Sequence, residues 1–104
     1  MKECCEMKGF LSFIVLKLIS KGNMSGDEIR EELKSRRGSK PSPGTIYPDL
    51  KSLSQSGFIE EVKSSGKTKK YKRTKKGKKE IIAATRKFCT MFYDMEDDFH
   101  RCCR

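Results

Sequence analysis

The chain has 104 residues, 37% charged and 35% hydrophobic, with 24 Lys/Arg against 14 Asp/Glu and a formal net charge of +10. That length holds one domain with at most an appended element, and no apolar run reaches the roughly 20 residues that a bilayer-spanning helix needs. Five cysteines, an odd number gathered toward the two ends, do not form the framework of a secreted disulfide scaffold. The expected location is cytoplasmic, with reduced thiols.

The placement of charge is more informative than its sum. Residues 1–33 carry five Lys/Arg against six Asp/Glu, and residues 81–104 carry four of each. Residues 34–80 carry fifteen against four, a net +11. A basic segment between near-neutral ones points to a polyanion-binding face, with nucleic acid ahead of an anionic membrane.

In chain order, the first helix is expected over about residues 6–21. Its apolar run at 10–19 has the length of a signal-peptide core, but Lys17 interrupts it and Ser20-Lys21-Gly22-Asn23 makes a poor cleavage region. Leu11, Ile14, Val15 and Leu18 share one face, while Phe10, Phe13 and Leu16 add a second apolar side. A helix apolar on two sides contacts two partners. Gly22 marks its stop.

Ser25 and Glu28 form a capping box that starts the second helix, with Met24 and Ile29 placed as a hydrophobic staple. Ile29 and Leu33 face inward, and Arg36, Arg37 and Gly38 close the helix. Ser42 as cap and Pro43 in the first turn open the third helix. Its buried stripe is Ile46, Leu50 and Leu53, leaving Thr45, Tyr47, Pro48, Lys51 and Ser52 off that stripe. Gly57 ends it, with Phe58 packed back on Leu53, and Pro48 removes one internal hydrogen bond and bends the first turn.

Residues 58–63 and 69–74 read as strands of a β-hairpin joined through a loop containing Gly66. The tip and second strand are basic, with Lys67, Lys69, Lys70, Lys72 and Arg73. A long helix is expected over residues 75–102, roughly 40 Å if unbroken. Ile81, Thr85, Phe88, Phe92, Met95, Phe99 and Cys102 alternate steps of four and three, a heptad seam. The small domain cannot cover such a length, so the seam is expected to meet a second copy. Packing on the first helix within the chain is the alternative.

Three helices followed by a hairpin, with a short Gly/Pro/Ser turn between the second and third helices, read as a winged helix-turn-helix. The fold class is mainly α with a small β-hairpin. Residues 1–74 form the DNA-binding domain and 75–104 the dimerisation helix. The expected ligand is double-stranded DNA. The third helix would enter the major groove with Thr45, Tyr47 and Lys51, flanked by Lys40 and Ser42, and the wing would set Lys67, Lys69, Lys70 and Arg73 on phosphates. Tyr47 has a second reading as a brace for the helix, and Tyr71 fits wing packing better than base stacking. The expected dimer contacts are Leu11, Ile81, Phe88, Phe92, Met95 and Phe99, and a ligand box is the lesser reading of the phenylalanine stripe.

The run from Met24 to Ile29, the stretch Ser42-Pro43-Gly44-Thr45-Ile46-Tyr47-Pro48-Asp49-Leu50, then Leu53 and Gly57-Phe58-Ile59, and finally Lys70-Tyr71-Lys72-Arg73-Thr74-Lys75-Lys76-Gly77 resemble PadR-type transcriptional regulators. The resemblance spans about residues 8–80, with four signatures in order. It implies a homodimer that binds DNA through the third helix and wing, usually as a repressor released by an effector or stress signal. It also implies dimer contacts on the last helix, with help from the first. The single C-terminal helix matches the short members. The chain has no Trp, which some drug-sensing members use to stack ligands between subunits.

Cys4 and Cys5 near one end and His100, Cys102 and Cys103 near the other leave a thiol- or metal-responsive regulator as one alternative, with Glu96, His100 and Cys103 on one helical face. Adjacent cysteines are not the usual chelating spacing, so no metal site and no cofactor is expected. An unidentified small-molecule or redox effector stays open. A winged-helix protein–protein adaptor is the remaining alternative, against which the +11 segment argues. With one His and no phosphate loop, no enzymatic arrangement is expected.

Overall fold

The structure, a computed structural model, describes residues 10–62, 66 and 68–102. The expected start of the first helix at residue 6 lies outside them, as do Cys4, Cys5, Lys67 and Cys103. Helix α1 runs Phe10–Lys21, strand β1 Met24–Ser25, helix α2 Gly26–Arg37 and helix α3 Pro43–Gln55. Strands β2 (Ile59–Val62) and β3 (Lys70–Arg73) follow, then helix α4 (Lys75–Phe92), a 3-10 turn (Tyr93–Met95) and helix α5 (Glu96–Cys102). Among the described residues no helix is long and apolar enough to cross a membrane.

One core lies where α1, α2 and α3 meet the sheet. It takes Val15, Leu16, Leu18 and Ile19 from α1, Ile29 and Leu33 from α2, and Ile46, Leu50 and Leu53 from α3. Phe58, Ile59, Tyr71 and Ile81 close it from the wing and α4. Fully burying one such side chain stabilises the fold by about 1.5–3 kcal/mol. On α1 the buried face is wider than the expected stripe, because Leu16 and Ile19 are inside while Leu11, Phe13 and Ile14 are half-buried. Two sets of neighbours, the core below and α4 beside it, divide those residues.

The capping box of α2 forms as expected. The Glu28 amide donates to Ser25 Oγ at 3.1 Å, and the Ser25 amide donates to Glu28 Oε1 at 2.8 Å. The hydrogen bond from the Ser25 amide, above all, holds the Glu28 carboxyl below its ordinary pKa. At the end of α3 Gly57 takes φ 83, a left-handed conformation. The Phe58 amide donates to Leu53 O and the Gly57 amide to Ser54 O, both at 3.0 Å, and Phe58 is buried. Ser42 departs from expectation: its hydroxyl makes no capping bond to an amide and stands 3.2 Å from Thr45 Oγ1.

Two larger expectations are corrected. The wing is a three-stranded sheet of order β1-β3-β2, because Met24 and Ser25 pair antiparallel with Tyr71 and Lys70. Residues assigned to the start of a helix thus also seal the sheet edge, whose unpaired amides and carbonyls need partners. The last helix is broken rather than continuous, with the 3-10 turn separating α4 from α5. The break lets Phe99 of α5 approach Phe92 of α4 edge-on, with ring centroids 6.3 Å apart.

The corner joining α3 to α4 is tightly built. Thr74 caps α4 by accepting from the Gly77 amide at 3.0 Å, and its hydroxyl donates to Gly57 O at 2.6 Å. The Thr74 amide donates to Phe58 O at 3.0 Å. Gly77 lies so close to the Phe58 carbonyl that a Cβ there would stand 2.2 Å from its oxygen. Lys76 reaches Ser56 O at 2.8 Å and places its ammonium 5.3 Å from the Phe58 ring centre.

Candidate nucleic-acid interface

Helix α3 buries Ile46, Leu50 and Leu53 and thereby turns Ser42, Thr45, Tyr47 and Lys51 outward, all four exposed. The apolar stripe fixes which side faces out. Tyr47 is 42% exposed, and one edge of its ring lies over α2. A Cβ on Gly26 would stand 2.6 Å from that ring, and the phenol donates to Asp27 Oδ1 at 3.3 Å. Burial first, and the Asp27 charge second, hold the phenol above its ordinary pKa. Tyr47 therefore braces α3 on α2, the second of the two readings of this residue, while its outer edge faces solvent.

Sequence reasoning missed the group behind that brace. Arg30 donates from Nη1 to Asp27 Oδ1 at 3.1 Å and from Nε to Pro41 O at 2.8 Å. One guanidinium thus ties the turn between α2 and α3 to the carboxylate that also receives Tyr47. The i,i+3 spacing of Asp27 and Arg30 was readable in the chain, but the Pro41 carbonyl and Tyr47 meet them only through tertiary packing. Lys40 in the same turn forms an ion pair with Glu31, which lowers the Glu31 pKa.

The wing carries acid–base pairs across its strands. The register sets Glu60 opposite Lys72, with their charges 3.4 Å apart, and Lys69 stands 3.7 Å from Glu61. Lys70 turns toward α2, 3.8 Å from the capping-box carboxylate of Glu28. Arg73, at the end of β3, is exposed. Of the basic residues expected on phosphates, Lys69 and Lys70 thus have carboxylate neighbours, and Lys67 lies outside the described residues. Lys51 on α3 and Lys75, Lys78 and Lys79 on α4 are exposed.

The expected dimer seam divides between two environments. Ile81 belongs to the chain's own core at 8% exposure, which corrects its placement on a free seam. Phe88 lies with its ring centre 4.9 Å from those of Phe10 and Phe13, and Phe92 lies 6.1 Å from Phe10. Phe88 and Phe92 are therefore half-buried against α1, so that part of the seam follows the intramolecular alternative. Leu11 is half-buried too, whereas Met95 and Phe99 are exposed at 39% and 44%. Beyond the α1 contact, Phe88, Cys89, Phe92, Tyr93, Glu96 and Phe99 line an open groove of about 400 Å³. Cys89 and Cys102 are exposed free thiols. Among the described residues no three His, Cys, Asp or Glu side chains gather as metal ligands.

The profile of the transcriptional regulator PadR-like family matches residues 15–83, from the middle of α1 into the third turn of α4. The chain belongs to this family. As a member it is a DNA-binding transcriptional regulator. Bacillus subtilis PadR, solved in complex with operator DNA, is 34% identical over 68% of this chain and 44% of its own, with a TM-score of 0.58. The protein smu.1704 of Streptococcus mutans is 25% identical, covering 86% of this chain and 83% of its own at a TM-score of 0.68. RosR of H. salinarum shares the fold at a TM-score of 0.75 and 20% identity, over 86% of this chain and 81% of its own. Comparison with curated proteins finds no match.

Proposed function

We propose that this PadR-family chain works as a homodimer that reads a specific duplex sequence and represses transcription from it in the cytoplasm. The observation that carries the reading is the 34% identity to a PadR solved on operator DNA, joined to an α3 whose outer face presents Thr45, Tyr47 and Lys51. In this reading α3 enters the major groove by its N-terminal end. Ser42, Lys40 and the edge of Tyr47 meet sugar and phosphate, while Thr45 and Lys51 reach base edges. Lys67, Lys69, Lys70 and Arg73 of the wing take flanking phosphates. Exposed ion pairs are worth only about 0–1 kcal/mol, so a phosphate can displace Glu61 or Glu28 from its lysine at little cost.

Homodimerisation accounts for the apolar surface that the chain leaves open. Phe88, Phe92 and Phe99 line the α4–α5 groove and Met95 is exposed between α4 and α5, and a second copy would cover them together with Leu11 of α1. A dimer also brings two α3 helices to two half-sites, which a monomer cannot do.

Selection of bound sequences from random duplex DNA tests the proposal, followed by titration of the selected duplex at several salt concentrations. The expected outcome is one enriched, two-fold related motif, with affinity falling steeply as salt rises. No enrichment above the starting pool would refute sequence reading. Binding that ignores salt would favour the adaptor alternative.

A further inference from the structure

Helix α3 carries one carboxyl on its inward side, and the DNA-facing residues do not account for it. Asp49 lies beside the buried Leu50, and its Oδ1 accepts a 2.5 Å hydrogen bond from Ser12 Oγ of α1, 37 positions away in sequence. Its other oxygen, Oδ2, is buried with no hydrogen-bond partner among the described residues. The charged groups on the packed elements are otherwise engaged or turned outward. On α1, Lys17 and Lys21 are exposed. On α2, Arg30 is held by Asp27 and Pro41, and on β2, Glu60 and Glu61 face Lys72 and Lys69. Burial accordingly raises the Asp49 pKa above its ordinary value, offset in part by Ser12.

A carboxyl placed this way is costly, and an apolar side chain would pack the same space without leaving a polar atom unpaired. What the carboxyl supplies is direction. Apolar surfaces slide and rotate over each other, whereas one short hydrogen bond selects one rotation of α3 against α1. The DNA-facing side chains depend on that rotation: turning a helix of about 5–6 Å outer radius by about 20° moves its outer atoms by about 2 Å. That distance separates a made base contact from a missed one. Ser12 also lies between Phe10, whose ring stacks on Phe88, and Phe13, whose ring meets Phe88 edge-on, so α3 is indexed to the α1–α4 aromatic layer.

We propose that Asp49, oriented by Ser12, is a positioning residue for DNA reading: it sets the rotation of α3 on α1 and so governs sequence preference without touching DNA. The proposal rests on α3 being the reading helix. Its signature is that stability and specificity separate, which a merely structural role would not produce.

The test compares the full-length wild type with Asp49→Leu/Ser12→Ala and with Asp49→Asn, whose amide oxygen still accepts from Ser12. Three measurements are made: melting temperature, affinity for the duplex selected by the wild type and for random duplex, and amide exchange along α3. The double variant is expected to melt at or above the wild type at neutral pH. It should lose at least about fivefold on the selected duplex, with little change on random DNA. Asp49→Asn should recover most of that loss. Because the folded pKa of Asp49 is raised, the folded state takes up a proton as pH falls through it. The wild type should therefore gain on the double variant in melting temperature as pH drops from neutral toward about 4. An unchanged ratio of selected to random affinity in a well-folded double variant overturns the proposal. If the wild type selects no duplex, the DNA-reading proposal fails and this one falls with it, whereas a wild type that selects a duplex beside a double variant with an unchanged affinity ratio and unchanged α3 amide exchange overturns the positioning role alone.

Discussion

Replacing Gly77 with alanine should be among the most damaging single-methyl changes in this protein. The added Cβ would stand 2.2 Å from the Phe58 carbonyl oxygen and 3.1 Å from Arg73 Cγ. A carbon–oxygen contact relaxes only at about 3.3 Å, so the α3–β2 corner and α4 must separate by about 1 Å. The arginine can swing aside, but the carbonyl is backbone and already accepts from the Thr74 amide at 3.0 Å. Overpacking of this kind costs about 1–3 kcal/mol, and loosening the Thr74 cap adds about 0.5–2 kcal/mol. The total of about 1.5–5 kcal/mol should lower the melting temperature by about 6 °C or more for a domain of this size. Gly22→Ala is the control, because nothing lies within 4 Å of its Cβ position and its φ is not positive. That variant should melt within a few degrees of the wild type or slightly above it. Circular dichroism melts of the three proteins decide the matter. A Gly77→Ala melt equal to that of Gly22→Ala would show the corner to be slack and the argument wrong.

Phe92→Asp should shift the proposed dimer toward monomer or unfold the chain, since about 1.5–3 kcal/mol of apolar burial is exchanged for a charge; sedimentation showing a wild-type monomer at tens of micromolar, on the order of the concentrations used for such runs, would count against the dimer itself. Lys69→Ala should weaken all duplexes alike and flatten the salt dependence by about one unit for each phosphate no longer neutralised, whereas Thr45→Ala or Lys51→Ala should cost about 1–3 kcal/mol on the selected duplex and less on random DNA. Equal losses on both duplexes for every variant would remove α3 as the reader. Ser25→Ala should destabilise the fold by about 0.5–2 kcal/mol through loss of the α2 cap. Because the folded pKa of Glu28 lies below its ordinary 4.5, the capping-box contribution is present above that value and disappears as pH falls through the folded pKa. Glu28→Gln should accordingly lose less stability than the wild type on acidification through that range, as read from urea midpoints.

Local pattern alone determined the type and order of α1 to α4 and of strands β2 and β3, the capping box of Ser25 and Glu28, the glycine stop at Gly57 and the inward stripe Ile46, Leu50 and Leu53. These depend on neighbours within a turn or two, so hydrophobic period and cap chemistry suffice to read them. The stripe also sufficed to turn Thr45 and Lys51 outward, which is why the face proposed to read DNA could be named before the fold was known. Tertiary structure decided the rest, where partners are remote in sequence. A two-residue strand such as Met24–Ser25 has no period to detect and exists only because Tyr71 and Lys70 offer it a ladder. The heptad spacing of the last helix was present, yet spacing cannot say which surface a seam will meet. Phe10 and Phe13 took Phe88 and part of Phe92 because α1 lay within reach of α4 in the same chain, and Ile81 went to the core. Lys70 and Tyr47 likewise read as free groups for DNA until folding brought Glu28, Asp27 and Gly26 beside them. Asp49 carries no local sign of its role, since a single carboxylate in a helix pattern reads as a solvated one until α1 closes over it.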